Sequence, residues 1–366
     1  MSPHPETWLR PTPEGLFCEP AGCFIDPVRP VDRAVITHGH ADHARPGHAA
    51  VLATPETLAI MRARMGAGAG VRQQPLRYGE TLQLGEVALR LVPAGHVLGS
   101  AQVVLDWRGS RAVVSGDYKR QSDATCAPFE PVACDVFVTE ATFALPVFRH
   151  PPPAQEVAKL LRSLILFPER THVVGCYALG KCQRLITLLR AAGWDRPIHL
   201  HGAQQTLCRL YEDWGIPLGE LRPATVANKA ELKGAIVLAP PSAIADRWAR
   251  RLAEPVTAVA SGWMQVRQRA RTRGVELPMV ISDHADWDAL NRTIDETGAP
   301  EVWVTHGRDD ALIHALGLRG IHGRALHLVG LGEDEDDALP PAATDGAAAP
   351  EGPPPEGPPA EGLAAP

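Results

Sequence analysis

No run of about 18 uncharged apolar residues occurs in the 366-residue chain, so no membrane-spanning helix is expected. Residues 1–13 carry prolines and charges where an export signal needs an apolar core, which makes the cytoplasm the expected location. There is no C-x-x-C pair. The seven cysteines are odd in number, and the Cys18/Cys23 and Cys176/Cys182 spacings match no usual zinc site, so reduced thiols are expected. No internal repeat is apparent. Residues 331–366 lack Lys, Arg and aromatic side chains and consist largely of Pro, Ala, Gly and acidic residues. Such a segment cannot bury enough apolar surface to offset its ordering entropy, and residues 332–366 read as a disordered acidic tail.

What is present is ordinary for a folded protein: 45% hydrophobic residues in a chain long enough for a substantial core. The net charge of -6 has to be divided. Nine of the 42 acidic residues lie in residues 331–366, leaving 33 against 36 basic residues in the body, a net of +3. A mildly basic body permits a polyanionic partner without demanding one.

The body alternates short β-branched runs with helical patterns. Strands are expected at 34–37, 87–92, 102–107, 112–115 and 136–139, with a hairpin turn at Arg108-Gly109-Ser110. Beyond Pro153 helices (154–166, 179–191, 203–214, 242–252, 287–297, 309–318) alternate with strands (172–176, 236–239, 256–260, 279–282, 301–305). An antiparallel-rich first part and a βα second part predict an α/β protein with an inserted module. The proline-rich stretch from Pro146 to Pro153 marks the way in, and residues 275–278 the way out. The division is 1–145, 146–277 for the module, 278–331 for the return, then the tail.

The chemistry is concentrated in Thr37-His38-Gly39-His40-Ala41-Asp42-His43, where an apolar strand runs into H-x-H-x-D-H. His38 and His40 can bind one ion, and Asp42 and His43 a second; imidazole with carboxylate suits zinc, with manganese behind it. His96, in the loop Ala94-Gly95-His96-Val97-Leu98-Gly99, and Asp117, after the strand ending Val114-Ser115-Gly116, complete a set of ligand types. Taken alone, His96 reads as a loop residue and Asp117 as a turn.

In that order, H-x-H-x-D-H, His, Asp, the chain resembles the metallo-β-lactamase superfamily, which implies an αββα sandwich with metal at one sheet edge. Three later strings, Thr139-Glu140-Ala141-Thr142, Ser282-Asp283-His284-Ala285-Asp286 and Thr305-His306-Gly307, resemble motifs A, B and C of β-CASP nucleases. Cys176-Tyr177-Ala178-Leu179-Gly180-Lys181-Cys182-Gln183-Arg184-Leu185 resembles the β-CASP element beside the cleft. At finer grain, Phe24-Ile25-Asp26-Pro27, Ala44-Arg45-Pro46-Gly47 and Asp283-His284-Ala285-Asp286-Trp287 resemble the bacterial ligase-associated DNA exonucleases. That likeness covers about residues 15–329 and implies DNA repair beside an ATP-dependent DNA ligase, a helicase and a metallophosphoesterase. His306 leans the other way, since RNA-cleaving β-CASP enzymes carry histidine at motif C where the larger DNA-repair branch tends to carry valine.

Residues and resemblance together imply two divalent ions, one held by His38, His40 and His96, the other by Asp42, His43 and His306, with Asp117 between them. Asp42, Glu140 and His284 form the implied catalytic group, His284 as proton donor to the leaving 3′-oxygen. Asp26 would orient a ligand, although an Asp-Pro turn explains it equally well. Lys181, at a helix start, is a candidate phosphate contact, as are Arg267 and Arg269 in the Arg267/Arg269/Arg271/Arg273 run; a solvated basic face fits that run as well. The expected activity is degradation of DNA, single-stranded or at its ends, with 5′ polarity suggested by the resemblance. RNA cleavage on the same fold is the alternative, and a small-molecule thiolester hydrolase a more distant one.

Overall fold

The computed structural model describes residues 2–328, apart from 226, 228, 245, 247 and 253. The expected tail, 332–366, lies outside the described residues. Two sheets stack face to face. The first runs in chain order through Leu9–Thr12, Gly15–Cys18, Cys23–Ile25, Arg33–Val35, Ala50–Ala53 and Arg72–Pro75. The second has seven strands in the order His322–Ala325, Glu301–Gly307, Val136–Ala141, Ser110–Val114, Ala101–Trp107, Val87–Pro93 and Thr81–Leu84.

Apolar side chains of Leu16, Ile25, Val35 and Leu52 from one sheet meet Leu89, Leu91, Val103, Leu105, Val138 and Trp303 from the other. Removing such faces from water at about 25 cal/mol per Å² is the main force holding the layers together. The outer face of the first sheet is covered by the helix Pro55–Met65, through Leu58 and Met61 on Ala34, Ile36, Val51 and Ala53. Helices Trp287–Thr297 and Asp310–Leu318 cover the second, through Leu290, Ile294, Leu312 and Leu316 on Val104, Val113, Phe137 and Val302. The layering is therefore αββα, as the motif order implied. Strand Val136–Ala141 is buried at all six positions because both its faces are covered. Arg108 and Gly109 both take positive φ (48° and 81°), and Trp107 pairs with Ser110, as expected of a two-residue hairpin.

Between the two halves of the sandwich the chain builds a third sheet, in the order Leu221–Pro223, Ile198–Leu200, Ile236–Ala239, His172–Gly175, Val256–Ala260, Leu277–Met279, with every pairing parallel. Helices Pro153–Leu166, Lys181–Ala191 and Gly202–Asp213 pack on one face, where Ile60 and Leu98 of the sandwich join their core. Two elements differ from expectation. The helix expected over 242–252 is a turn of helix, Pro241–Ile244, and a separate 3-10 turn, Ala249–Arg251. Ala243 and Leu252 enter the same apolar core. In one continuous helix those two positions would face about half a turn apart. The strand expected at 279–282 is instead Leu277–Met279; the next amide, Val280 N–H, leaves the sheet to donate to Glu156 Oε2 at 2.9 Å.

Candidate metal centre

Parallel pairing decides where the polar residues collect. Strands Ser110–Val114, Val136–Ala141 and Glu301–Gly307 run parallel to one another, so their C-terminal ends share one edge of the second sheet. That edge carries Asp117, Glu140 and His306. In the first sheet Arg33–Val35 runs parallel between Cys23–Ile25 and Ala50–Ala53 and delivers the His38–His43 loop. Gly116 (φ 55°) carries the chain past Thr37, where a Cβ would stand 2.7 Å from Thr37 Cβ. His306 also has positive φ, 56°, and lies where the pairing with Val136–Ala141 slips between Thr139 and Ala141. Such a slip re-aims a side chain at a strand end.

Asp117 Oδ2 lies 3.5 Å from His38 Nε2, 3.4 Å from His43 Nε2 and 3.7 Å from His96 Nε2. His96 Nε2 also faces His40 Nδ1 at 3.0 Å, and Asp42 Oδ2 stands 3.5 Å from His43 Nε2. Potential ligand atoms thus form two sets around the same centre, His38/His40/His96/Asp117 and His38/Asp42/His43. The His306 ring stacks on His43 at 5.1 Å. A third set, Asp117/Glu140/His284, adjoins them.

The opposite ring nitrogens are tied down. His38 Nδ1 meets Thr37 Oγ1 (3.1 Å), which donates to Asp26 Oδ2 (2.6 Å); His43 Nδ1 meets the same oxygen (2.7 Å). His96 Nδ1 donates to Asp283 O (2.8 Å), and His40 Nε2 to Leu179 O (3.3 Å). These acceptors direct the remaining lone pairs inward, as ligating histidines require. The Nε2 atoms of His38, His43 and His306 are buried without a hydrogen-bond partner, a costly arrangement that a cation would relieve. The donor set therefore fits two divalent ions.

The electrostatics follow from that geometry. Burial, reinforced by neighbouring rings, holds His38 and His96 well below the usual imidazole range and pulls His306 down to about 4, so all three are neutral at pH 7. Burial acts on His43 in the same direction, but Asp117, Asp42 and Asp26 outweigh it and push its pKa well up. Burial would raise Asp117; His43, by charge and hydrogen bond, and His284 hold it well below the carboxylate range.

Asp26 is buried and more than a turn former, taking Thr37 N–H at 2.8 Å besides the contacts above. His284 Nδ1 meets Glu140 Oε2 at 3.0 Å, while Glu140 Oε1 accepts from Tyr118 N (2.7 Å). Lys181, expected at a helix start whose backbone N–H groups meet a phosphate, has its ammonium turned inward. It is 3% exposed, donates to Ile281 O (3.0 Å) and pairs with Asp283 Oδ2 (3.1 Å), because its helix docks against the sandwich at that point. Of the two arginines, Arg269 lines a cleft that opens on Asp42, Asp117 and His306, whereas Arg267 is exposed on the helix Arg267–Thr272.

Sequence reasoning missed a buried ionic cluster behind the histidines. Asp283 receives Lys181 and Arg184 (2.9 Å), and Lys119 pairs with Asp123 (2.6 Å) while donating to His96 O (3.0 Å). Arg184 also donates to Ser282 O and to Gln121 Oε1 (2.8 Å). The only signal available was Gly180-Lys181-Cys182-Gln183-Arg184 beside the motif residues.

A family profile described as the Metallo-beta-lactamase superfamily matches residues 25–175. The chain is 29% identical, over 92% of its length, to 33% of a protein of Opitutus terrae named Probable DNA ligase. It is 29% identical to Ribonuclease TTHA0252 of Thermus thermophilus over 47% of this chain and 46% of that one. Endoribonuclease ysh1 of Aspergillus fumigatus is 30% identical over 32% of this chain and 14% of its own. The chain thus spans a third of the first of these relatives and less than half of the others. Among the described residues no helix is long and apolar enough to cross a membrane. With its αββα layers, its inserted third sheet and these relatives, the chain is similar to metallo-β-lactamase proteins, the profile match itself covering residues 25–175.

Proposed function

We propose that this chain is a two-metal phosphodiesterase that degrades DNA, single-stranded or at its ends, with 5′ polarity. The observation that carries the reading is the doubled histidine–carboxylate cluster with the His284–Glu140 pair at its rim. His38, His40 and His96 would hold one ion, Asp42, His43 and His306 the other, with Asp117 between. Two such ions, zinc or manganese, would supply Lewis acidity and make water more acidic near neutral pH. The chain's own groups do the rest. Asp26 and Thr37 orient His43 and His38. Glu140 fixes His284 through Nδ1, so a proton handed to the departing 3′-oxygen would come from Nε2. Arg269, with Arg267 on the same helix, would meet phosphates. The same reading divides the chain into sandwich segments 1–145 and 278–331 around the module 146–277.

DNA is favoured because a relative that matches 92% of the chain is named Probable DNA ligase. That name supports a place beside a DNA ligase; by the family resemblance the ligase would be ATP-dependent, the work DNA repair in the cytoplasm, and a helicase and a metallophosphoesterase further partners. RNA is the second reading, favoured by His306 and by relatives named ribonucleases. Matched DNA and RNA oligonucleotides, with free and blocked ends, test the choice. Faster cutting of DNA from a free 5′ end is expected. Faster cutting of RNA at equal length overturns the DNA reading, and unchanged cutting of blocked DNA overturns end dependence.

A further inference from the structure

The cleft that opens on Asp42 and Asp117 has a volume of about 520 Å³, and one wall of it carries none of the metal chemistry. That wall is formed by Leu145, Val147, Trp263, Val266 and Arg269. The Arg269 guanidinium lies over the Trp263 ring, Cζ to centroid 4.1 Å. Trp263 is backed by Phe148 (5.2 Å, 86°) and by Phe143 (4.8 Å, 49°), and Phe143 reaches to 6.2 Å from the His284 ring. Gly262 permits this packing, since a Cβ there would stand 2.4 Å from Phe143 Cζ. Ser261 Oγ accepts from Trp263 N (3.2 Å) within the segment, and Gln265 Nε2 donates to Val147 O (2.6 Å), tying it to the stretch where the chain enters the module.

A flat cation layered on an indole, in an apolar cleft beside a phosphodiesterase centre, suits a planar π-system attached to an anion. An acyl chain would use the apolar wall and make no use of the guanidinium plane. A nucleotide uses both. We propose that Trp263 and Arg269 form a stacking platform for the nucleobase next to the scissile phosphate. The inference rests on the phosphodiesterase reading and adds to it a base subsite. Every base has a π-face, so the platform tolerates sequence and aligns the backbone without reading it.

The test compares single-stranded DNA carrying a normal nucleotide with the same strand carrying a tetrahydrofuran abasic residue, placed in turn at each of the terminal positions. The readout is the ratio of kcat/KM for the two substrates. Wild type should favour the normal strand at one position by roughly ten- to hundred-fold, the range expected for one base stack. Trp263→Ala and Arg269→Ala should bring that ratio close to one. Trp263→Phe should restore part of it, whereas Arg269→Lys, which keeps the charge and loses the plane, should not. Metal content and melting curves identify any variant that fails to fold, and the Phe and Lys variants then decide. A wild-type ratio of one at every position, or a Trp263→Ala protein that keeps the wild-type ratio, overturns the platform while leaving the nuclease reading intact. Wild type that cuts neither strand with two ions bound overturns both.

Discussion

Asp26 shows how much one side chain can carry. It adopts φ 44°, which is uncommon outside glycine but tolerated by Asp and Asn, and its carboxylate serves both Thr37 and His43. Asp26→Asn keeps the backbone preference and loses the charge that polarises His43. Metal affinity, read by competition with a chelator, should fall by about 10–100-fold with little change in melting temperature. His284→Ala separates two roles. If His284 donates a proton, both ions stay bound and turnover drops by roughly 10²–10⁴-fold. Loss of one ion by elemental analysis would make His284 a ligand, a role that its place beside Asp117 and Glu140 also permits. The ligand types could be read in the sequence because they cluster at strand ends. Thr37, Lys119 and Asp283 could not be, since their roles arise from contacts such as Asp283 O with His96 Nδ1, 187 positions apart.

At the scale of elements, the buried ionic cluster joins the helix Lys181–Ala191 of the module to two loops of the sandwich. Asp283→Ala would leave Lys181 and Arg184 without their shared carboxylate while the backbone acceptor of His96 remains. Breaking a buried pair from one side costs about 3–5 kcal/mol, which urea unfolding should register as a lower midpoint. An unchanged midpoint would mean that water reaches the cluster and replaces the carboxylate. The long helices and buried central strands were legible from apolar periodicity. The first sheet was mostly not: Leu9–Thr12 and Arg72–Pro75 are four-residue strands containing proline, and Arg72–Pro75 is polar, so their extended form comes from pairing with neighbours. The 242–252 helix failed for the converse reason, a local preference overridden by the demand to bury both Ala243 and Leu252.

For the whole molecule, the charge division of the sequence yields a test that does not depend on the fold. Deleting residues 331–366 removes nine acidic groups from a chain whose remainder carries +3. DNA binding should tighten at low salt, and the gain should fade as the ionic strength rises past about 0.1 M, where the Debye length is about 10 Å. A melting temperature several degrees lower would show instead that the segment contributes to the body's stability.

The bond from His96 Nδ1 to Asp283 O crosses from the first half of the sandwich to the return from the module, and Leu179 O, which holds His40, belongs to the module itself. Two of the histidines are thus aimed by the part of the chain that closes over them. Thermodynamic reciprocity follows: whatever ion these rings favour must also favour the seated module, to the extent of its differential affinity for the seated state. A chelator would then act at a distance from the histidines, loosening the seam around Arg184, and a variant that loosens the seam would release metal without touching a ligand.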